Sequence, residues 1–171
     1  PTVVVIAVSF NPTAILSFPP AGFSWRWYVN VLTYPQFQRA ALNSLVVTGG
    51  AVALALPIGT LAALALERGR LRAPNVWAAL LLSPLVVPGV AAGLGFLILA
   101  AAAGLLRSRV VLIVAHVALV LPFVVRSVWV SVKNLDPMLE RAAASLGATR
   151  WRAFRRVTLP LLRPGLTAGL L

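Results

Sequence analysis

General acid–base catalysis and metal binding need carboxylates, imidazoles or thiols held close together. This sequence offers three acids, one histidine and no cysteine in 171 residues. The acids are Glu67, Asp136 and Glu140, and the histidine is His116. They assemble into no carboxylate pair, no cluster with metal-ligand spacing and no nucleophile with its base, and no glycine-rich phosphate loop accompanies them. The chain is therefore not expected to be an enzyme, and neither a cofactor nor a metal is expected. Without thiols there are no disulfides. The chemistry that the sequence does carry is cationic. Fifteen Lys and Arg residues give a formal net charge of +12, and ten of them are gathered in two places. Arg68, Arg70 and Arg72 lie in ERGRLR; Lys133, Arg141, Arg150, Arg152, Arg155, Arg156 and Arg163 lie in or beside ERAAASLGATRWRAFRRVTLPLLRPG, residues 140–165.

The elements that must hold these arginines are apolar. The chain is 60% hydrophobic and 11% charged, outside ordinary soluble usage. A bilayer crossing takes about 20 mainly apolar residues, and residues 42–66, 76–103 and 110–132 each read as a complete span. Shorter apolar runs, PTVVVIAVSF and GLTAGLL, stand at the two ends. Neither crosses alone, and no initiator methionine is present, so the sequence reads as a fragment of a longer chain. PTVVVIAVSF lacks the basic flank and cleavage site of a signal peptide.

Two spans separate the arginine-rich connectors, which therefore share one side. The connector between them carries only Arg107 and Arg109. The positive-inside rule assigns the arginine-rich side to the cytoplasm, and a nucleic-acid partner is then not needed to explain the charge. The first partial span exits, residues 11–41 lie outside, and the three full spans run inward, outward and inward. In that outer segment Phe23, Trp25, Trp27 and Tyr28 read as an interfacial anchor rather than a ligand cage. Pro84, Pro88, Gly89, Gly93 and Gly95 should break or bend the second full span, either to line a pathway or as a structural kink. His116 belongs near the outer end of its span, and Arg126 near the inner end, where it can snorkel. Buried acids of the kind a proton-driven carrier uses are missing from these spans.

A polar, basic, two-part segment after the last full span carries its own start and stop signals. Asp136 followed by Pro137 is a helix start, an N-cap acceptor and then a residue whose fixed φ suits the first turn. Gly147 is a helix stop, because glycine takes the left-handed conformation readily. Between them Leu139, Ala142, Ala143 and Leu146 recur at helical spacing on one small, apolar face. Thr149 can cap a second helix bearing Trp151, Phe154 and Val157 among the arginines, and Pro160 is expected to end it. A solvated basic loop is the plainer alternative, and the paired signals weigh against it.

At this point the sequence resembles a known family. Ala142, Ala143, Gly147, Val157, Leu159 and Pro160 fall on the pattern Glu-Ala-Ala, three residues, Gly, nine residues, Ile, one residue, Leu-Pro, the cytoplasmic loop of the permease subunits of binding-protein-dependent ABC importers. Arg141 occupies the pattern's Glu position, and the acid stands one residue earlier, at Glu140. SFNP (9–12), FPPAGFSWRWY (18–28), NSL (43–45) and LPFVVR (121–126) look like the second permease of spermidine/putrescine importers and its relatives for ferric iron, thiamine and phosphonate. The resemblance implies an all-α, polytopic transmembrane helical bundle of the type I importer kind. Residues 1–171 would be one transmembrane permease domain with a coupling loop at 133–163, and most of the first span and the C-terminal spans of a six-span subunit would lie outside it. It further implies that Glu140, Arg141, Ala142, Ala143, Leu146, Gly147, Val157, Leu159 and Pro160 form the contact with ATP-binding ABC ATPase subunits. A second permease subunit, an extracytoplasmic solute-binding protein and the bilayer of a bacterial inner membrane would be the other partners. Substrate-binding residues are not assigned. The rival from another class is a membrane scaffold or regulator whose loop recruits a soluble partner.

Overall fold

A computed structural model of the chain describes residues 2–14, 17–69 and 71–170. Arg70, one of the connector arginines, lies outside the described residues. Every regular element among those described is helical: α1 (Thr2–Ser9), α2 (Arg26–Thr33), α3 (Pro35–Arg68), α4 (Pro74–Leu82), α5 (Gly89–Ala102), α6 (Arg109–Lys133), α7 (Pro137–Ser145), α8 (Arg150–Ala153), α9 (Leu159–Leu161) and α10 (Arg163–Leu170). The chain divides into two compact units, Pro1–Val46 and Val47–Leu171, with α3 beginning in the first and ending in the second.

In the first unit, aromatic residues hold the turn between α1 and α2. Phe10 stacks on Phe23 at 4.6 Å and meets Trp25 and Tyr28 at 5.1 and 5.2 Å between ring centroids. Trp27, expected beside Phe23, Trp25 and Tyr28, turns elsewhere. Its Nε1 donates to the Asn11 carbonyl at 2.8 Å, and Arg26 lies over its ring. Phe10 lies near-parallel to Phe23 and Tyr28, and Trp25 meets all three edge-on.

The second unit is organised by small residues. Val47, Ala51, Ala55, Gly59 and Ala63 are buried along α3, a four-residue repeat that draws one narrow stripe along the helix. Facing it, α6 buries Val124, Val125, Val128 and Val132. A Cβ on Gly59 would come within 2.7 Å of Val124 Cγ1, so the helices meet at a separation that only glycine permits. On another side of α6, Gly165 of α10 does the same: its Cβ would stand 2.8 Å from Ser131 Cβ and 2.9 Å from the Ser127 carbonyl oxygen. Ala55, Ala63, Val124, Val128, Val132, Leu135 and Leu162 close one core across these helices.

Helices α3 and α6 are each long and apolar enough to cross a membrane, and they bracket the expected spans 42–66 and 110–132. The expected span 76–103 is bent at Val87–Pro88, as its prolines predicted. It is two pieces, Pro74–Val86 and Gly89–Ala102, bent by 95°. Val87 is extended, as a residue before proline must tend to be, and Pro88 supplies no N–H and cannot continue the preceding turn; the two interrupt the helix together. Hydropathy runs across the break without a dip, which is why a hydropathy window reads one span there. The described residues therefore hold two unbroken spanning helices, or three spans if the bent pair is one.

Candidate functional site: the α7–α8 loop

Helix α7 is nine residues long, short enough that propensity alone would not keep it folded in water. Its ends are fixed locally. The Asp136 carboxylate accepts from the Met138 N–H at 2.8 Å, satisfying one orphan amide of the first turn, and Pro137 follows at the first helical position. At the other end Gly147 takes φ +83°. Its N–H donates to the Ala144 carbonyl at 2.9 Å, and the Ala148 N–H to the Ala143 carbonyl at 3.0 Å. These two bonds are the paired closure of a Schellman motif. Thr149 then caps α8, accepting from the Arg152 N–H at 3.3 Å.

Pro160 does not end the second helix, contrary to the sequence expectation. From Arg150 the chain runs through a π-helical turn, Phe154–Thr158, and on through α9, in which Pro160 lies, before a turn at Leu162 leads into α10. In a regular α-helix the Arg156 carbonyl would press on the Pro160 ring. The wider turn, closed by the Leu159 N–H on the Phe154 carbonyl, opens the backbone just ahead of the ring. The helix thus passes through the proline.

The pattern residues separate into two groups. Ala143, Leu146 and Val157 come together with Ala148, Arg152, Ala153 and Arg156 around a groove of about 280 Å³. Leu139 and Leu146 stand in the open, at 45% and 90% exposure, with Ala142 and Gly147 exposed beside them. Leu159 and Pro160 are half-buried in the helix leading to α10 and belong to the fold rather than to the exposed face. Arg141 is exposed, and its guanidinium donates to the Met138 sulfur at 3.9 Å.

Glu140 is engaged within the chain. Its Oε1 accepts from Arg68 Nη1 at the end of α3 and from Thr158 Oγ1 in the π-turn. Thr158 is fully buried. Burial raises the Glu140 carboxyl, but the Thr158 hydrogen bond and the hydrogen bond and charge of Arg68 outweigh it, and the group is held below the ordinary value of 4.5. One residue of the α-helix turns about 100°, so Arg141 points well away from this cluster. Sequence reasoning missed both partners. Arg68 was legible only as part of a basic connector on the same side of the membrane, and Thr158 as an unremarked position inside the pattern. Among the described residues no group of three or more His, Cys, Asp or Glu side chains could hold a metal ion.

Apolar helices long enough to span a membrane, joined to a doubly capped, basic helix pair, define a polytopic α-helical membrane protein. No protein-family profile matches the chain. It is, however, 34% identical over 99% of its length to the putrescine transport system permease protein PotI of Escherichia coli (strain K12). It is 30% identical over 99% of its length to the spermidine/putrescine transport system permease protein PotC of Haemophilus influenzae, and 33% identical over 81% to the molybdenum transport system permease protein ModB of Escherichia coli (strain K12). The chain spans 62%, 65% and 66% of these three relatives. It is thus similar to the permease proteins of putrescine, spermidine/putrescine and molybdenum transport systems.

Proposed function

We propose that the chain is part of a membrane permease subunit that forms half of a solute pathway in an ATP-driven importer and contains no catalytic centre of its own. The observation that carries this reading is α7: a short helix, capped at both ends, whose small and apolar residues stand exposed on a loop where the importer pattern places its contact with an ATPase. In this reading a separate ATP-binding subunit receives Leu139, Ala142, Ala143, Leu146 and Gly147, with Glu140, Val157, Leu159 and Pro160 holding the loop from behind. Closure of the ATPase pair displaces α7, and the displacement reaches α6 through the three-residue link Asn134, Leu135 and Asp136, of which Leu135 is buried. The spans then rock against a second permease subunit, alternating access to a central site. An extracytoplasmic binding protein delivers the solute, and the assembly sits in a bacterial inner membrane with the α7 loop on the cytoplasmic side. The names of two relatives support a polyamine or similar small solute.

The test is uptake into vesicles holding the full-length subunit, its partner permease and its ATPase. Labelled putrescine, spermidine and molybdate would be offered with the cognate binding protein. ATP-dependent accumulation of a polyamine is the expected result; accumulation of molybdate alone would overturn the solute class, and no ATP-dependent uptake of any solute would overturn the transport reading. Cysteines placed at Ser108 and Ser145 should label from outside and only after permeabilisation, respectively.

A further inference from the structure

The end of α3 makes two contacts that the loop pattern does not contain. Glu67 Oε2 accepts from Trp129 Nε1 of α6 at 2.7 Å, and Lys133 lies 5.6 Å from the centroid of the Trp129 ring. The next residue, Arg68, holds Glu140 of α7. Two consecutive residues therefore tie α3 to the helix before the loop and to the first helix of the loop. Glu140 is also bonded to Thr158, so one carboxylate oxygen joins three chain segments that are far apart in sequence. An exposed ion pair in water contributes little. This one is half-buried, and it is the only ion pair among the described residues. Arg150 lines the same cleft, of about 370 Å³, with Leu64, Ala144, Ala148 and Phe154.

We propose that the Arg68–Glu140–Thr158 cluster makes the end of α3 a second arm of the coupling unit, so that displacement of α7 drives α3 directly as well as α6. This rests on the proposed coupling role of the loop. Glu140 and Arg68 are positioning residues: neither touches solute or nucleotide. The acid that stands one place ahead of the pattern's Glu position is turned toward the membrane helices, and Arg141 holds the outward position.

Two measurements on the assembled transporter test it. The first is amide exchange of α7 in Arg68→Gln, Glu140→Gln and the double variant. Each single variant should speed α7 exchange about 2- to 10-fold, and the double should add little more, as for residues acting through one contact. Unchanged exchange in Glu140→Gln, or additive effects in the double, would overturn the cluster's role. The second is solute taken up per ATP hydrolysed. The single glutamine variants should retain their ATPase and keep hydrolysing ATP while this ratio falls at least about 2-fold, and Arg68→Lys should recover part of it; a ratio equal to the parent's in Glu140→Gln would sink the second arm. A parent subunit that holds no ATPase at all would take down the proposed function, and this inference with it, before any variant is made.

Discussion

Replacing Gly147 separates the folding of α7 from its docking. The residue sits at φ +83°, and nothing lies within 4 Å of where a Cβ would be. An alanine there meets no neighbour, and its cost is the left-handed backbone alone, about 1–2 kcal/mol. That shifts the ratio of closed to open α7 by about 5- to 30-fold. Exchange of the Gly147 and Ala148 amides, which close the helix, should rise by the same factor and can be followed by mass spectrometry on the subunit without its ATPase. Asparagine, which tolerates the conformation better, should show a smaller effect. Leucine should match alanine in the isolated subunit, because the site is open. Once the ATPase is bound the two should part, with Gly147→Leu losing association and transport beyond what Gly147→Ala loses. If leucine is already much worse than alanine in the isolated subunit, or if alanine leaves exchange unchanged, the strain account is wrong.

Asp136→Ala removes the N-cap of α7 and should cost about 1 kcal/mol, seen as faster exchange of the Met138 amide with no change in α6. Gly165→Val forces a side chain against Ser131 and the Ser127 backbone and should lower stability by about 1–3 kcal/mol; Gly95→Ala, with no neighbour within 4 Å, should leave the unfolding temperature in detergent unchanged or raise it slightly. Because the Glu140 carboxyl is held below its ordinary value, its contribution is fully present above pH 4.5 and is lost as pH falls through the lowered value. Protection of α7 should therefore be flat from neutral pH down to that point and decline in more acidic solution, and Glu140→Gln should abolish the decline.

What was legible in the sequence was local. Asp136, Pro137, Gly147 and Thr149 act within a few residues of themselves, through caps and a left-handed turn, so their types and spacing specify α7 and the start of α8 without reference to the rest of the chain. Long apolar runs likewise specify α3 and α6. Two features beyond the reach of the sequence come from proline in company. Pro84 and Pro88 were legible as breakers, but the 95° angle depends on how the pieces pack, and hydropathy carries no angle. Pro160 reads as a stop unless the backbone ahead of it widens, and the widening of Phe154–Thr158 has no signature of its own. The Arg68–Glu140–Thr158 cluster was out of reach for a different reason: its members meet only after α3, α6 and the loop have packed, although the sequence does place Arg68 and Glu140 on one side of the membrane.

The π-helical turn has a further consequence. Ala153, Thr158, Leu162 and Gly165 are all buried, at steps of five, four and three residues. In an unbroken α-helix the first step would leave Ala153 and Thr158 out of phase by about 140°. The one additional residue of the wide turn restores the phase, so that the inward sides of the loop and of α10 are cut on the same line. Inserting one more residue between Phe154 and Thr158, with no second wide turn to absorb it, would leave each half able to form its own helix, yet rotate one against the other by about 100°. The loop would keep its shape and face the wrong way.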